Sequence, residues 1–218
     1  MFFYETHMHT SEGSACGFAS GAMQARHYKA LGYDGIVVTD HFFNGNSRIN
    51  VDFPFESWER KIDLFCKGYE NAYDEGKKIG LKVFFGFEFN YKTTEWLVYG
   101  IGKDFLKAHP EIMEMPPEKF LPLFKENGGF IIQAHPFREA SYISTMRICP
   151  GLCDALEVYN ANNTERSNIC AEFFAGQFQL RMTCGSDCHK VTQEKYSAMG
   201  SDTQITCLSE FCKSIAQG

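Results

Sequence analysis

The 218-residue sequence contains no run of about 18 apolar residues, the length that a membrane-spanning helix needs. Its opening residues also lack the basic start and long apolar stretch of a signal peptide, so we expect a cytoplasmic protein. Positive charge is scarce, since 21 lysines and arginines stand against 27 aspartates and glutamates. A formal net charge of −6 is not the basic footprint of a nucleic-acid binder. We therefore expect nucleic acid as a partner only as a short fragment.

Signs of a second domain are also missing, because the sequence shows no internal repeat, low-complexity tract or linker. Hydrophobic residues make up 44% of the chain and aromatic residues 15%, with 21 phenylalanines. A chain of this length and composition can bury one full-sized core. We expect a single domain that spans residues 1–218.

Nine cysteines are present, an odd number in a sequence without an export signal. Disulfides are rare in such proteins, so we expect reduced, mostly buried thiols. Two pairs are spaced C-x3-C, which lies outside the C-x2-C pattern of zinc ribbons but within the looser range of zinc ligands. These pairs are Cys149 with Cys153 and Cys184 with Cys188.

Short apolar segments alternate with amphipathic ones, a pattern that indicates β/α units. Strands are predicted at residues 2–9, 35–39, 81–87, 96–101, 130–134, 155–158 and 180–184, and a further short strand at 203–205. Helices are predicted at residues 22–31, 58–78, 117–126, 165–175 and 208–216. Nearly every predicted strand is followed by a histidine, aspartate or glutamate. Active sites of (β/α) barrels lie at that edge, so the pattern predicts an α/β barrel with a site there.

The strongest indication of a metal site comes from two short segments at opposite ends of the chain, His7-Met8-His9 and Asp187-Cys188-His189. Side chains at positions i and i+2 point to the same face of a strand, whereas a helix would separate them. The two segments can meet only if the fold is closed or wound. Cys188 should then point away from its two neighbours.

The complete set of candidate ligands combines imidazoles with carboxylates: His7, His9, Glu12, Asp40, His41, Glu88, His135, Asp187 and His189. Such donors suit Zn²⁺, Mn²⁺ or Fe²⁺. They outnumber the three protein ligands of a single catalytic zinc, so we expect two or three divalent ions that share bridging carboxylates. Asp40 is the exception, because a residue beside a ligand often orients that ligand instead of binding metal. His27 and His109 are expected to be structural.

Five motifs occur in an order that resembles the PHP (polymerase and histidinol phosphatase) family: Thr6-His7-Met8-His9-Thr10, Thr39-Asp40-His41, Gly86-Phe87-Glu88, Ala134-His135-Pro136 and Gly185-Ser186-Asp187-Cys188-His189. The resemblance extends over almost the whole chain, from residue 1 to about residue 190. It implies a distorted (β/α)7 barrel, similar to a TIM barrel, with a trinuclear metal centre at the C-terminal ends of the strands.

The resemblance also implies how the ligands divide among three ions. The first ion would be held by four residues: His7, His9, Glu88 and Asp187. Glu88 would bridge to a second ion that His135 also binds. A third ion would be bound by His41 and His189, with Glu12 where the family commonly has aspartate. Asp40 would mainly orient its neighbours.

One ligand of the family pattern is missing from this sequence. The family often has a further histidine shortly after the Gly-x-Glu motif, and residues 89–100 contain none. Asn90, Glu95 or water are the candidates to replace it. Whether two or three ions bind therefore stays open at the level of sequence.

The expected chemistry is hydrolysis of a phosphate ester. Divalent ions can produce a bridging hydroxide at neutral pH and stabilise phosphoryl oxygens during in-line displacement. Glu88 and Asp187 would support catalysis by holding these ions, and Arg138 would clamp the phosphate, because guanidinium binds phosphate in a bidentate manner. Lys190 and Asn160 are further candidates for substrate contact. The alternatives are surface residues for Arg138 and Lys190 and a turn residue for Asn160.

A chain of this length has little room for a separate substrate-binding domain, so we expect a small phosphate monoester, similar to histidinol phosphate or a nucleotide. Two other functions remain open. An amidohydrolase shares the His-x-His start and the late aspartate, but it typically uses a carboxylated lysine where this sequence has Glu88. A metal-binding regulatory module without catalytic activity is the third possibility; the missing histidine supports it, but the presence of nearly all the other ligands argues against it.

Overall fold

A computed structural model describes residues 1–217, and its centre is an eight-stranded sheet. The strands are β1 (Phe2–Met8), β2 (Gly35–Val38), β3 (Lys82–Tyr91), β4 (Thr94–Tyr99), β5 (Phe130–Gln133), β6 (Ala155–Asn160), β7 (Arg181–Gly185) and β8 (Met199–Ser201). Their order across the sheet is β7-β6-β5-β4-β3-β2-β1-β8. Strands from both ends of the chain therefore belong to the same sheet.

Helices surround this sheet, and three of them begin at a hydroxyl side chain that accepts a hydrogen bond from the first turn. The helices are α1 (Gly21–Ala30), α2 (Arg48–Asp52), α3 (Trp58–Phe65), α4 (Lys67–Ile79), α5 (Lys103–Ala108), α6 (Pro117–Glu126), α7 (Glu165–Gln177) and α8 (Leu208–Gln217). The capping residues are Ser20, Ser57 and Thr164. Within residues 1–217, no helix has both the length and the apolar character needed to cross a membrane.

The sheet curls into a nearly closed barrel because the end of β1 pairs with the segment that follows β7. Met8 and Cys188 form a parallel bridge, in which the amide of His9 donates to the Cys188 carbonyl at 2.8 Å. Strand β8 lies antiparallel to the first half of β1. The predicted α/β barrel with seven main strands is thus confirmed, and β8 is an eighth strand beside it.

The barrel departs from a regular (β/α) alternation at β3 and β4. These strands form a hairpin through Lys92 and Thr93, which have φ values of 49° and 68°. Strand β4 is also antiparallel to β5. The predicted strand at 81–87 was therefore too short, and Glu88 lies inside β3 rather than after its end. Hairpin pairing continues the strand for three residues beyond Glu88.

Two other predictions differ from the structure. The strand expected at 203–205 is wrong, because the last strand is at Met199–Ser201 and the amide of Ile205 instead donates to the Tyr4 hydroxyl at 2.7 Å. The single helix expected at 58–78 is divided at Cys66 into α3 and α4. All nine cysteines are free thiols as expected, but the expectation that most are buried is wrong, because only Cys66 and Cys188 are buried.

The barrel interior has an apolar end that α8 covers. Buried side chains from six strands, among them Tyr4, Leu97 and Tyr99, pack against Phe211 and Ile215 of α8. These apolar residues lie near the N-terminal ends of the parallel strands. The candidate ligands therefore face into the opposite, C-terminal end.

A bulge in β1 turns His7 and the following His9 toward the barrel interior. The pairing of β1 with β2 gains one extra residue between Glu5 and Met8. Tyr4 consequently packs inside the barrel, whereas Met8 packs in the outer core with α1 residues. Without the extra residue, Tyr4 and Met8 would lie on the same face and His7 and His9 on the other.

The buried carboxylate of Glu5 accepts hydrogen bonds from the backbone amides of this bulge. Its Oε1 atom accepts the amides of Thr6 at 3.0 Å, His7 at 2.8 Å and Ser186 at 2.9 Å. Burial raises the pKa of Glu5 to about 7, against the lowering effect of its hydrogen bonds with Ser186 and His7. Glu5 thus links β1 to the segment after β7 and supports the strand that carries His7 and His9.

We predict that Glu5→Ala lowers the free energy of unfolding of the metal-free protein by on the order of 3 kcal/mol, because three buried amides lose their acceptor. Urea denaturation measures this change. Glu5→Gln is the matched control, since Oε1 accepts all three bonds while Oε2 has no hydrogen-bond partner. Equal stability of Glu5→Ala and Glu5→Gln would contradict the assigned role.

Candidate metal centre

The C-terminal end of the barrel gathers seven of the eight predicted metal ligands into one buried cluster. Its members are His7, His9, His41, Glu88, His135, Asp187 and His189. Their donor atoms form overlapping groups of three, each with all atoms within 4.8 Å of one another. Two ends of the chain and three middle strands therefore contribute to a single site.

The two histidines of β1 face the late aspartate. The Nε2 atom of His9 lies 3.1 Å from Asp187 Oδ1 and 3.3 Å from His7 Nε2. His7 Nε2 is in turn 3.4 Å from Glu88 Oε1. These distances fit donors that converge on a common ion, and which ion each residue binds stays a prediction.

Glu88 lies at the centre of the cluster. Its Oε1 is 3.0 Å from His135 Nε2, and its Oε2 is 2.8 Å from His41 Nδ1. Although close, Glu88 Oε2 and His41 Nδ1 do not have hydrogen-bond geometry, and both are buried atoms without a hydrogen-bond partner. Buried polar atoms are almost always paired, so these two unpartnered neighbouring atoms fit a cation that both would bind.

Three of the histidines are oriented through the ring nitrogen that faces away from the cluster. Nδ1 of His7 is 2.9 Å from Glu157 Oε1, and Nδ1 of His9 is 3.0 Å from Ser14 Oγ. Nδ1 of His189 is 2.8 Å from the Asp187 carbonyl. Donation from Nδ1 leaves the Nε2 lone pair free for a metal, which is the usual arrangement of metal-binding histidines.

Asp40 lies outside the donor groups and contacts His9 through Ser14. The Ser14 hydroxyl donates to Asp40 Oδ1 at 2.7 Å and thereby presents its oxygen to His9. The amide and hydroxyl of Thr10 also donate to the Asp40 carboxylate. Burial raises the pKa of Asp40 to about 6, while the bonds from Thr10 lower it. This geometry suits a residue that positions a ligand.

Glu12 is the one predicted ligand that the structure does not bring to the cluster. Its carboxylate accepts the Gly21 amide at the start of α1, at 3.1 Å, and the Asn71 side chain at 2.9 Å. A helix N-terminus favours a negative charge, which explains this position. The loop between β1 and α1 thus turns Glu12 away from His41 and His189.

Cys16 belongs to the same loop, whose backbone is tied to the cluster segment because the Phe18 amide donates to the His189 carbonyl at 2.8 Å. Burial raises the pKa of the Cys16 thiol, but hydrogen bonds with His189 and His41 outweigh that effect and lower it to about 6. Nothing in the sequence distinguishes Cys16 beyond its position in the loop after the His-x-His segment.

Glu95 of β4 contacts the cluster and is one of the candidates to replace the missing histidine. Its Oε2 is 3.6 Å from His135 Nε2, and its Oε1 is 3.8 Å from His41 Nδ1. Asn90 donates to Glu95 Oε1 at 3.1 Å across the hairpin. Of the three candidate replacements, Glu95 therefore contacts the cluster directly and Asn90 orients it.

Arg138 and Asn160 converge on Asp187 at the edge of the cluster. Arg138 forms an ion pair with the Asp187 carboxylate and donates to Asn160 at 3.2 Å and to Asn163 at 3.0 Å. Its side chain is 18% exposed, so solvent reaches the guanidinium. Lys190 follows the cluster residue His189 but is exposed.

The ionisable side chains of the cluster strongly affect one another's pKa values. Burial raises the pKa of Glu88, but the neighbouring His41 and His7 lower it well below its ordinary value. Burial likewise raises the pKa of Asp187, and Arg138 and His7 together lower it well below normal. Burial, His189 and His41 all lower the pKa of His9. Burial lowers the pKa of His7, but Glu157, Asp187 and Glu88 raise it well above its ordinary value. Metal ligation requires neutral imidazoles, so metal binding should release protons from this cluster.

Two cluster residues have a left-handed backbone, with φ of 27° at His135 and 50° at Asp187. Such conformations cost on the order of 1–3 kcal/mol in residues other than glycine and concentrate at functional sites. The amide of His135 donates to Glu157 Oε2 at 2.9 Å, which holds this turn. Glu157 therefore fixes both His7 and His135, a role that the sequence did not indicate.

No protein-family profile matches the sequence, and a comparison with curated proteins finds no match. Solved structures do share its fold. One, from Bifidobacterium adolescentis, is described as a "putative metal-dependent phosphoesterase"; it aligns with a TM-score of 0.59 and 14% identity over 99% of this chain and 96% of its own. The fold of the chain is the fold of these proteins.

Two further structures have the same architecture. A two-domain Bacteroides vulgatus protein, described as containing a "predicted PHP-like metal-dependent phosphoesterase", aligns with a TM-score of 0.56 and 19% identity over 86% of this chain and 52% of its own. A Chromobacterium violaceum amidohydrolase, solved with sulfate and no metal, aligns with a TM-score of 0.62 and 11% identity over 97% and 96%. The names of the Bifidobacterium and Bacteroides proteins match the PHP resemblance, whereas the amidohydrolase shares the fold.

We predict that Glu88→Ala reduces the number of divalent ions retained per chain, because Glu88 lies against histidines from both ends of the cluster. Elemental analysis after dialysis against zinc or manganese measures this number. Metal should also stabilise the wild type by about 2.7 kcal/mol at a free concentration one hundred times its Kd.

The matched control is His109→Ala, since His109 pairs with Glu111 on the surface and lies outside the cluster. Its metal content and metal-dependent stabilisation should equal those of the wild type. Full metal content in Glu88→Ala would be inconsistent with a metal centre built around Glu88.

Proposed function

We propose that this protein is a metal-dependent phosphoesterase of the PHP type, which hydrolyses a small phosphate monoester. The observation that carries this proposal is the position of Arg138, whose guanidinium pairs with Asp187 at the edge of a buried cluster of imidazoles and carboxylates. A cationic anchor beside a multi-metal site is the arrangement that binds a phosphoryl group.

The chain would contribute mainly by positioning. Asn160 and Asn163 accept hydrogen bonds from Arg138 and fix the plane of its guanidinium. Glu157 orients His7, and Ser14 with Asp40 orients His9, so that their Nε2 atoms face the cluster. Divalent cations, once bound, supply the Lewis acidity that activates water and neutralises phosphoryl charge.

Burial of the cluster supports hydrolysis in a protected site. His7, His9 and Glu88 are each at most 1% exposed, whereas His41 and His189 are 12% and 23% exposed. Water and substrate therefore reach the cluster from the side of His41, His189 and Arg138. Low polarity strengthens electrostatic interactions with developing charge.

Hydrolysis of a C–N bond is the second candidate, because the amidohydrolase structure aligns over almost the whole chain. In the described residues, Glu88 rather than a lysine lies at the cluster centre. This carboxylate favours the phosphoesterase over an amidohydrolase with a carboxylated lysine.

We predict that the metal-loaded protein hydrolyses at least one small phosphate monoester from a panel of nucleotides, sugar phosphates and amino-alcohol phosphates. Arg138→Ala should lower kcat/KM by about 100-fold or more, because it removes the cationic anchor for the phosphoryl group. Inorganic phosphate release measures turnover, and inhibition by added phosphate should weaken in parallel.

Arg166→Ala is the matched control, since Arg166 forms an exposed ion pair with Glu139 away from the cluster. Turnover of amide substrates with none of phosphoesters would favour the amidohydrolase. Tight metal binding without turnover of either class would favour a regulatory metal-binding module.

A further inference from the structure

We propose that the Glu95 carboxylate is a metal ligand, which binds one divalent ion together with Glu88 at the position between His41 and His135. Two carboxylates on one ion favour a harder cation such as Mn²⁺ more than one carboxylate and a further imidazole would. The inference rests on the metal centre of the proposed phosphoesterase, but it does not depend on the identity of the substrate.

The side chain of Glu95 points into the barrel because of its place in β4. Successive residues of a strand alternate between its two faces, and residues directly opposite each other in a hairpin share a face. Leu97 and Tyr99 pack in the barrel interior, whereas Trp96 packs against α6. Leu97 is also the residue opposite Glu88. Glu95 therefore shares the interior face with Glu88 at the end of the barrel where the candidate ligands lie.

Glu95 belongs to a group of donor atoms that is small enough to enclose one ion. Its carboxylate, that of Glu88 and a ring nitrogen of His41 all offer donor atoms within 4.8 Å of one another. Glu95 Oε1 is 3.8 Å from His41 Nδ1, and Glu95 Oε2 is 3.6 Å from His135 Nε2. Both separations are too long for a hydrogen bond. They fit ligands of one ion, since donors about 2.1 Å from a metal lie about 3–3.5 Å apart.

The charges around Glu95 also favour a cation at this position. The Glu95 and Glu88 side chains are 13% and 1% exposed. Among residues 1–217, no lysine or arginine nitrogen lies within 4 Å of the Glu95 carboxylate, so imidazoles are its nearest basic neighbours. Two carboxylates this close repel each other strongly when they are shielded from water. A divalent cation bound by both would replace that repulsion with attraction.

Two buried polar atoms beside Glu95 have no hydrogen-bond partner. They are Glu88 Oε2 and His41 Nδ1, which lie 2.8 Å apart. Buried polar atoms without a partner are rare in proteins and indicate a missing ligand such as an ion. Because both residues belong to the same donor group as Glu95, one ion bound by all three would give each of these atoms a partner.

The hairpin holds Glu95 in place without neutralising its charge. The Asn90 side chain donates to Glu95 Oε1 at 3.1 Å, and the Asn90 amide donates to Asn44 Oδ1 at 3.2 Å. Asn90 thus orients one carboxylate oxygen, as residues behind a metal ligand commonly do. The other oxygen, Oε2, faces His135 and is available to a metal.

The test compares Mn²⁺ binding by the metal-free wild type and by Glu95→Gln, with electron paramagnetic resonance as the measure of free Mn²⁺. Glutamine keeps the size of the side chain and the acceptor for Asn90, but it removes the charge. At a concentration that saturates the wild type, Glu95→Gln should bind one Mn²⁺ fewer per chain. Glu111→Gln, which changes an exposed carboxylate outside the cluster, should bind the wild-type number.

A second variant, Glu95→His, tests the preference for a harder ion. Because imidazole suits Zn²⁺ better than Mn²⁺, the ratio of the two affinities at this position should shift toward Zn²⁺. We expect a shift of about 10-fold, the lower end of what changes around a metal ligand produce. An unchanged number and affinity of Mn²⁺ ions in Glu95→Gln, or an unchanged ratio in Glu95→His, would overturn the proposal.

Thermal unfolding separates a ligand from a residue that only supports the fold. Without metal, Glu95→Gln should have a Tm at least as high as the wild type, because it removes the repulsion with Glu88. With saturating Mn²⁺, the wild type should have the higher Tm. A decrease in Tm that is the same with and without Mn²⁺ would assign Glu95 to the fold and contradict metal ligation.

These results can be separated from the fate of the proposed phosphoesterase. Loss of one Mn²⁺ in Glu95→Gln, together with no hydrolysis of any phosphoester by the wild type, would support Glu95 ligation and contradict the proposed activity. Hydrolysis by the wild type, together with full Mn²⁺ content in Glu95→Gln, would support the activity and contradict Glu95 ligation.

Discussion

The barrel and its polar cluster both depend on the contact between the end of β1 and the segment after β7. In that contact the His9 amide donates to the Cys188 carbonyl, and Met8 and Cys188 form a parallel bridge. Because side chains alternate along extended backbone, the bridge places Met8 and Cys188 in the outer core. The residues that flank Met8 and Cys188 in the two segments must then face the interior, where they lie side by side in one site.

Buried charge is the second constraint on this end of the barrel. Glu88, Asp187 and Glu157 are each at most 2% exposed, and transfer of an unpaired carboxylate from water costs several kcal/mol. Imidazoles and Arg138 offset part of this cost through direct contacts. Unpartnered atoms on Glu88 and His41 remain. A bound cation would satisfy those atoms, so the arrangement is more stable with metal than without it.

The sequence predicted the parts of the fold and site that follow from strand periodicity. The sequence could predict His7, His9, Asp187 and His189, because two residues at i and i+2 on a strand share a face, whatever the details of pairing. It could not predict residues whose positions depend on irregular backbone. Glu5 and Glu157 act next to one-residue shifts in β1 and β6, and no local pattern marks such a shift. The same limit explains why Glu12 lies away from the cluster, since it belongs to an irregular loop.

The hairpin at β3 and β4 shows how a departure from the regular barrel changes the chemistry of the centre. Antiparallel pairing extends β3 beyond Glu88 and returns β4 so that Glu95 faces His135 and His41. The carboxylates of Glu88 and Glu95 therefore collect on the hairpin side, where Glu88 contacts both His41 and His135. Carboxylate oxygens suit harder cations than imidazole nitrogens do, so the hairpin shifts the metal preference of the centre toward harder ions.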